Sequence, residues 1–156
     1  MGVRVLWATV VGAVIVALPV AATAAPSRHV SSVPFVTVAG GGNTDHPRRN
    51  RVFLARSLAA TDPWRRWLSV RARNALRNLK FDRYGLIAVF RLQKSTGLKI
   101  TRIERASHTL ALRLTVPKPP PPDPSLVTLG AYHVVAVKRR DLRDVSQVFV
   151  RAVIVK

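Results

Sequence analysis

No cysteine occurs in the 156-residue sequence, which excludes disulfides as staples and thiolates as nucleophiles or metal ligands. Acidic residues are scarce as well, with seven Asp and Glu against 26 Lys and Arg. After the first 25 residues no long apolar run remains, so no later segment is expected to cross a membrane. Stability must therefore come from the apolar core of a single domain.

The first 24 residues are expected to act as an export signal and to take no part in the fold. Arg4 supplies a positive charge, residues 5–20 are apolar, and Ala22 and Ala24 are small residues suited to a cleavage site. We therefore predict cleavage after Ala24 and a secreted or cell-envelope location. A retained membrane anchor is the alternative, because residues 5–25 are long enough to span a bilayer.

Positive charge is the strongest compositional feature that is present. The net charge is +19, and arginine outnumbers lysine 20 to 6. This excess can reflect codon usage, or it can concentrate the protein non-specifically on polyanions such as anionic cell-wall polymers and acidic lipid headgroups. Dedicated nucleic-acid binding is not expected, because among the dispersed basic residues only Trp64 and Trp67 offer stacking platforms.

Residues 25–50 have the serine, proline and glycine content of a flexible tether. Within it, residues 33–39 have strand character, and Pro34 restricts them to an edge strand or a strand start. The triplet Gly40–Gly42 predicts a flexible turn, because it lacks the Gly-Lys-Ser/Thr ending of a phosphate loop. The remaining residues, 51–156, are predicted to form one domain.

One amphipathic helix is predicted over residues 63–79. Asp62 can cap it, and Pro63 suits its first position. Apolar residues recur at spacings of three and four and form a stripe that should pack on a sheet: Trp64, Trp67, Leu68, Ala72, Ala75, Leu76 and Leu79. The rest of the helix surface is rich in arginine, which suits either a solvated face or docking on an acidic partner.

Most of the chain after residue 80 alternates with the two-residue period of β-strands. In residues 109–116 the apolar side chains fall on one face, whereas residues 86–92 are apolar on both faces and predict a central strand. Residues 106–108 read as a hairpin turn. Further strands are predicted at residues 51–57, 98–105, 126–129, 132–137 and 145–155. The segments on either side of Gly130 form either a strand pair or one bulged strand.

The resulting fold class is α+β, a mainly antiparallel β-sheet that is sandwich- or barrel-like, with one amphipathic helix packed on it. Between the strands, residues 118–124 contain four consecutive prolines and predict a stiff polyproline II loop.

No catalytic or cofactor-binding constellation is recognisable in the sequence. The four histidines have no zinc-ligand spacing with acidic or thiolate support, no motif pairs two carboxylates, and no Gly-x-Ser-x-Gly or Ser-x-x-Lys motif occurs. His133 alternates with valines, so we expect it to bond to backbone and not to catalyse. We predict a protein that is not an enzyme and uses no cofactor or metal, with a hydrolase of unfamiliar type as a third hypothesis.

The order of the strand signals is itself informative. The blocks that carry it are 82–90, Ser95-Thr96-Gly97, 99–103, 112–117, 126–128 and 132–138. This pattern resembles the C-terminal domain of the PrcB family. Members of that family are accessory subunits of secreted protease complexes. The resemblance implies a non-catalytic partner of an exported protease, and it transfers no catalytic residues.

Together these features predict an exported, non-catalytic protein-binding domain that is an accessory or regulatory partner of another secreted protein, such as a protease. The alternative is a cationic envelope-associated protein that binds anionic cell-wall polymer or the membrane surface. Contact surfaces are expected on the helix, the proline loop and the edge strand at 33–39. The candidate partner-binding residues are Arg65, Arg66, Arg73, Arg77, Pro119, Pro120, Pro121 and Pro122.

Overall fold

The computed structural model describes residues 4–7, 30–43, 50–93, 97–118 and 129–155. The strands in these ranges are β1 (Arg4–Trp7), β2 (Ser31–Ser32), β3 (Phe35–Asn43), β4 (Arg51–Ala55), β5 (Tyr84–Gln93), β6 (Lys99–Ala106), β7 (Thr109–Pro117), β8 (Leu129–Lys138) and β9 (Gln147–Val155). The helices are α1 (Asp62–Arg65) and α2 (Val70–Arg77), and short 3₁₀ segments span Ala59–Thr61 and Arg139–Leu142.

The strands form two sheets, which we name by position. The front sheet has the order β1-β9-β7-β6-β2, and the central sheet has the order β3-β8-β5-β4. Every pair in the central sheet is antiparallel, whereas β9 runs parallel to both β7 and β1. The predicted α+β class with a mainly antiparallel sheet is confirmed, and the sandwich form is the one adopted.

The central sheet lies between two apolar layers, because successive side chains of a strand point to opposite faces. In β8, Val135 and Val137 pack toward the front sheet, while Val134 and Ala136 pack toward the helices. The same alternation runs along β5, where residues 86–90 are all fully buried. The prediction of a central strand that is apolar on both faces is therefore confirmed.

The connections also follow the sequence signals. Ser107 and His108 form the turn between β6 and β7, and Ser107 has a φ of 52°. Gly130 is paired with Leu92 on one side and Asn43 on the other, so β8 is one continuous strand at this point. Residues 126–128 lie outside the described residues.

Two segments near the N-terminus differ from expectation, and the first is the glycine triplet. Gly40–Gly42 is part of β3, which pairs with β8 at the edge of the central sheet, so the flexible turn predicted there is wrong. The reason is space: a Cβ on Gly40 would lie 3.2 Å from His133 Cδ2, and one on Gly41 would lie 3.2 Å from Tyr132 Oη. The glycines let two large side chains of β8 lie against β3.

The second segment is β1, where no fold was expected. Arg4–Trp7 pairs in parallel with residues 147–150 of β9. The open edge of β9 presents unpaired backbone N–H and C=O groups. An extended segment beside it can pair with those groups, which accounts for the pairing of β1. Cleavage after Ala24 stays a prediction, and it would leave β9 as the edge of the front sheet.

Gly85 controls how closely the 3₁₀ segment 139–142 packs against the start of β5. A Cβ at this position would lie 2.5 Å from Leu142 Cδ1 and 3.0 Å from the carbonyl oxygen of Ala55. Leu142 is fully buried, so neither neighbour can move without disturbing the core.

We therefore expect Gly85→Ala to lower the free energy of unfolding by about 1–3 kcal/mol through overpacking. Urea denaturation followed by tryptophan fluorescence measures this change. In the double variant Gly85→Ala/Leu142→Val, the smaller side chain should relieve the clash, so the loss should be less than the sum of the single losses. Additive losses would show that the two side chains do not compete for the same space.

Candidate binding surface

The arginine-rich region predicted as one helix is divided into two helices. α1 ends at Arg65, and α2 begins at Val70. Ser69 causes the break: it has an extended ψ of 159°, and its side chain accepts a hydrogen bond from the backbone N–H of Ala72 as an N-cap. The prediction of one continuous helix over 63–79 is therefore wrong, although its apolar face was identified correctly.

Tyr132 of β8 stabilises this break from beneath. Its hydroxyl donates to Ser69 Oγ at 3.2 Å, and the Ser69 N–H points to the same hydroxyl at 3.5 Å. The capping residue is thus tied to the central sheet. The relative placement of the two helices follows from this contact as well as from their own sequence.

An aromatic cluster holds the helices on the sheet. Trp64 is fully buried and lies 6.0 Å from Phe53 and 5.9 Å from Phe90, measured between ring centroids. Trp67 packs on the same two rings at 5.9 and 5.4 Å. The expectation that both tryptophans pin the helices to a sheet is confirmed. Among the described residues, the indole Nε1 of Trp64 is the buried side-chain polar atom without a hydrogen-bond partner.

The outer surfaces of the helices enclose a shallow groove of about 400 Å³, which we call the helix groove. Its lining residues are Asp62, Arg65, Arg66, Val70, Arg73, Asn74 and Arg77. All four arginines predicted to bind a partner are therefore brought to one concavity. The other predicted residues, Pro119, Pro120, Pro121 and Pro122, lie outside the described residues.

The arginines of the helix groove differ in their pairing. Arg65 is bound to Asp62 at 2.9 Å within the same helix. In the described part of the chain no carboxylate lies within ion-pair distance of Arg66, Arg73 or Arg77. Three cations of the groove are thus available to an external anion, which is the arrangement expected of a surface that contacts an acidic partner.

The helix groove also has an apolar element. Val70 lines the groove together with the arginines, and it is 64% exposed. Arg66 is placed with its guanidinium carbon 5.9 Å from the Trp67 ring centroid, a cation–π contact that holds the side chain over the surface. The lining of the groove therefore combines one exposed apolar side chain with four arginines.

His133, the histidine inside the predicted strand block, has a structural place. It is 4% exposed; its Nδ1 accepts the backbone N–H of Ile100 at 3.1 Å, and its Nε2 lies 3.3 Å from Thr37 Oγ1. Burial, with a smaller contribution from the Lys99 ammonium, lowers the pKa of His133 from 6.5 to about 4. The neutral ring therefore carries its proton on Nε2 and donates to Thr37, as expected of a histidine bonded to backbone.

A second basic concavity was missed by sequence reasoning. It surrounds the segment Lys138–Arg143 and includes Arg56 and Arg83 from distant parts of the chain. The available signal was the run Lys138-Arg-Arg-Asp-Leu-Arg143, in which four of six residues are basic. Its contribution to a cleft depends on tertiary contacts, which no local pattern reveals.

The described residues contain no group of three His, Cys, Asp or Glu side chains placed to hold a metal ion. None of the helices in those ranges is long and apolar enough to cross a membrane. No protein-family model matches the chain, and neither the curated proteins nor the solved structures contain a significant match. The resemblance to the PrcB family therefore stays a hypothesis.

The low pKa of His133 makes stability depend on pH. The unfolded chain takes up a proton near pH 6.5, whereas the folded chain does so only near pH 4, so the unfolded state binds more protons between these values. The contribution is fully present above pH 6.5 and is lost as the pH falls to about 4, with a total loss of at most about 3 kcal/mol.

We expect His133→Gln to reduce this slope, because glutamine does not titrate, while also lowering stability at pH 7. Unfolding free energies measured between pH 7 and 4 test the expectation. His108→Gln removes an exposed histidine at the hairpin turn and is the matched control. If both variants keep the slope of the unmodified protein, His133 is not its source.

Proposed function

We propose that this chain is an exported, non-catalytic binding domain whose helix groove docks on an acidic surface of another secreted protein. The observation that carries the proposal is that Arg66, Arg73 and Arg77, which have no ion-pair partner among the described residues, share one groove with the exposed Val70. In this arrangement the domain acts as an accessory or regulatory partner, and the partner supplies any catalysis.

The composition of the helix groove favours a protein partner. Protein interfaces combine an apolar centre with a polar rim, and arginine and tryptophan are enriched among the residues that dominate their binding energy. The groove lining includes the apolar Val70, Arg66 held over Trp67, and three further arginines. The helices beneath it are fixed to the sheet by the aromatic cluster, so little ordering is required on binding.

A protease is the partner class suggested by the sequence. The resemblance of the strand order to the PrcB C-terminal domain is the basis for this choice. Secretion and the accessory role rest on the export signal at residues 1–24 and on this resemblance.

Adhesion to anionic cell-wall polymer or to a membrane surface is the alternative function. It is favoured by the net charge of +19 and requires no particular groove. The two functions differ in their response to salt, because adhesion of exposed charges is screened at high ionic strength. An interface with a packed apolar centre persists under the same conditions.

Affinity capture with the chain as isolated from its producing cells tests the proposal. A C-terminally tagged protein is exposed to the secreted and envelope fraction and washed at about 0.5 M salt, where the Debye length is about 4 Å. We expect one discrete acidic protein to be retained. Loss of all proteins in this wash, with polymer or lipid retained at low salt, would favour the alternative function.

The triple variant Arg66→Glu/Arg73→Glu/Arg77→Glu locates the surface. Reversal of three charges should weaken capture of that protein by about 100-fold or more, because repulsion replaces attraction across the interface. The matched control is Arg71→Glu/Arg113→Glu/Arg151→Glu, which makes the same change in net charge at three exposed positions outside the groove. Equal losses in the two variants would show that total charge, and not the helix groove, determines binding.

A further inference from the structure

The second basic concavity, which we call the end cleft, lies where β5 begins and β8 ends. Its volume is about 660 Å³, within the range of pockets that bind small molecules. The lining residues are Arg56, Asp82, Arg83, Tyr84, Lys138, Arg139, Arg140, Arg143 and Asp144. None of them belongs to the helix groove.

The fold holds the wall of the end cleft rigidly. The backbone N–H of Arg139 donates to the carbonyl of Arg83 at 2.8 Å, which joins the segment 139–143 to the start of β5. From β6, the Arg105 guanidinium donates to the carbonyls of Arg140, Asp141 and Arg143 at 3.3, 3.1 and 2.8 Å. The wall is thus tied to both sheets by backbone groups, independently of the side chains that it presents.

Two arginines of the end cleft are already occupied. Arg56 Nη2 donates to the Leu142 carbonyl at 2.8 Å, and Arg139 Nη1 donates to the Phe81 carbonyl at 3.2 Å. A carbonyl partner does not neutralise the guanidinium charge in either case. These arginines support the wall and raise the positive potential inside the cleft.

The other cations have weak partners or none. Arg83 lies 3.8 Å from Asp82, and Arg140 lies 3.7 Å from Asp141, both long for an ion pair between neighbouring residues. Among the described residues no carboxylate is within ion-pair distance of Lys138 or Arg143. Six cations therefore face one cleft with two carboxylates, Asp82 and Asp144. These carboxylates offset only part of the repulsion between the cations, and anions from outside would relieve the rest.

We infer that the end cleft binds a ligand that carries two or more phosphate groups. Arginine presents a planar fork of N–H donors that matches phosphate oxygens, and several such forks can bind adjacent phosphates together. A single small anion would leave most of these cations unpaired, whereas an oligophosphate can reach several at once. Tyr84, half-buried on the lining, offers an aromatic side chain to the rest of the ligand. This inference does not depend on the docking proposed for the helix groove.

Isothermal titration of the chain, as isolated, with inorganic tripolyphosphate tests the inference. We expect saturable binding at a ratio of one to one and at least about tenfold weaker binding of orthophosphate, because each added phosphate forms further charge-assisted bonds. Orthophosphate affinity equal to that of tripolyphosphate would overturn the proposal, since it would indicate a site for a single phosphate. Binding of many tripolyphosphates without saturation would also overturn it.

Two triple variants separate the cleft from the general charge of the protein. The first, Arg83→Gln/Lys138→Gln/Arg143→Gln, alters exposed side chains of the cleft. It leaves unchanged the three arginines whose side chains donate to backbone carbonyls, Arg56, Arg105 and Arg139. It should weaken tripolyphosphate binding by about 30-fold or more. The control Arg71→Gln/Arg113→Gln/Arg151→Gln removes the same charge elsewhere and should change binding less than about threefold. Equal losses in both variants would overturn the proposal.

A vesicle-binding experiment distinguishes a lipid headgroup from a soluble or polymer-borne oligophosphate as the ligand. Phosphatidylcholine vesicles with and without phosphatidylinositol bisphosphate are sedimented with the protein in the presence of increasing tripolyphosphate. Binding that requires the phosphorylated lipid, and that tripolyphosphate displaces, supports the cleft and identifies a lipid headgroup as its ligand. Tripolyphosphate binding without vesicle binding supports the cleft and identifies a soluble or polymer-borne oligophosphate.

Discussion

A neutral imidazole joins the two sheets of this protein, and much of the arrangement around it follows from that contact. His133 accepts the N–H of Ile100 in the front sheet and donates to Thr37 at the edge of the central sheet. Both partners lie beside register shifts, at Ile100/Arg102 in β6 and Thr37/Ala39 in β3. The short β2 pairs only with residues 104 and 105 of β6, so another acceptor is needed for the Ile100 N–H. A buried N–H without a partner would cost about 1–3 kcal/mol.

The next residue along the same strand connects the other layer. Tyr132 points to the opposite face of β8 and binds Ser69, the N-cap of α2. Two neighbouring side chains thus set the position of the front sheet and of the helices. Gly40 and Gly41 of β3 leave room for the imidazole and for the tyrosine hydroxyl, respectively. The shape of the helix groove therefore depends on β8 even though no residue of β8 lines it.

Sequence patterns predicted what depends on local periodicity. The alternation in residues 109–116, the doubly apolar segment 86–92 and the turn at residues 106–108 all correspond to elements of the fold. The patterns failed where a distant side chain decides the conformation. Nothing local distinguishes glycines that form a turn from glycines that make space for Tyr132 and His133. Likewise Ser69, inside an otherwise continuous amphipathic pattern, becomes a cap because a tyrosine 63 positions away holds it. The end cleft depends on contacts of Arg56 and Arg105 that have the same long-range character.

Some arginines of this chain hold backbone carbonyls in place, and others present their charge at the surface. Their hydrogen-bond partners distinguish the two groups. Arg56, Arg105 and Arg139 donate to backbone carbonyls and not to carboxylates. With seven acidic residues against 26 basic ones, most arginines cannot have a carboxylate partner. A carbonyl satisfies the donors of a guanidinium but does not neutralise its charge. Structural arginines therefore add to the positive potential that surface arginines create. In the end cleft both kinds meet, so the same bonds that make its wall rigid also increase its attraction for anions. Lysine could supply the charge, but its three donors share one nitrogen, whereas Arg105 reaches three carbonyls of the segment from two separate nitrogens.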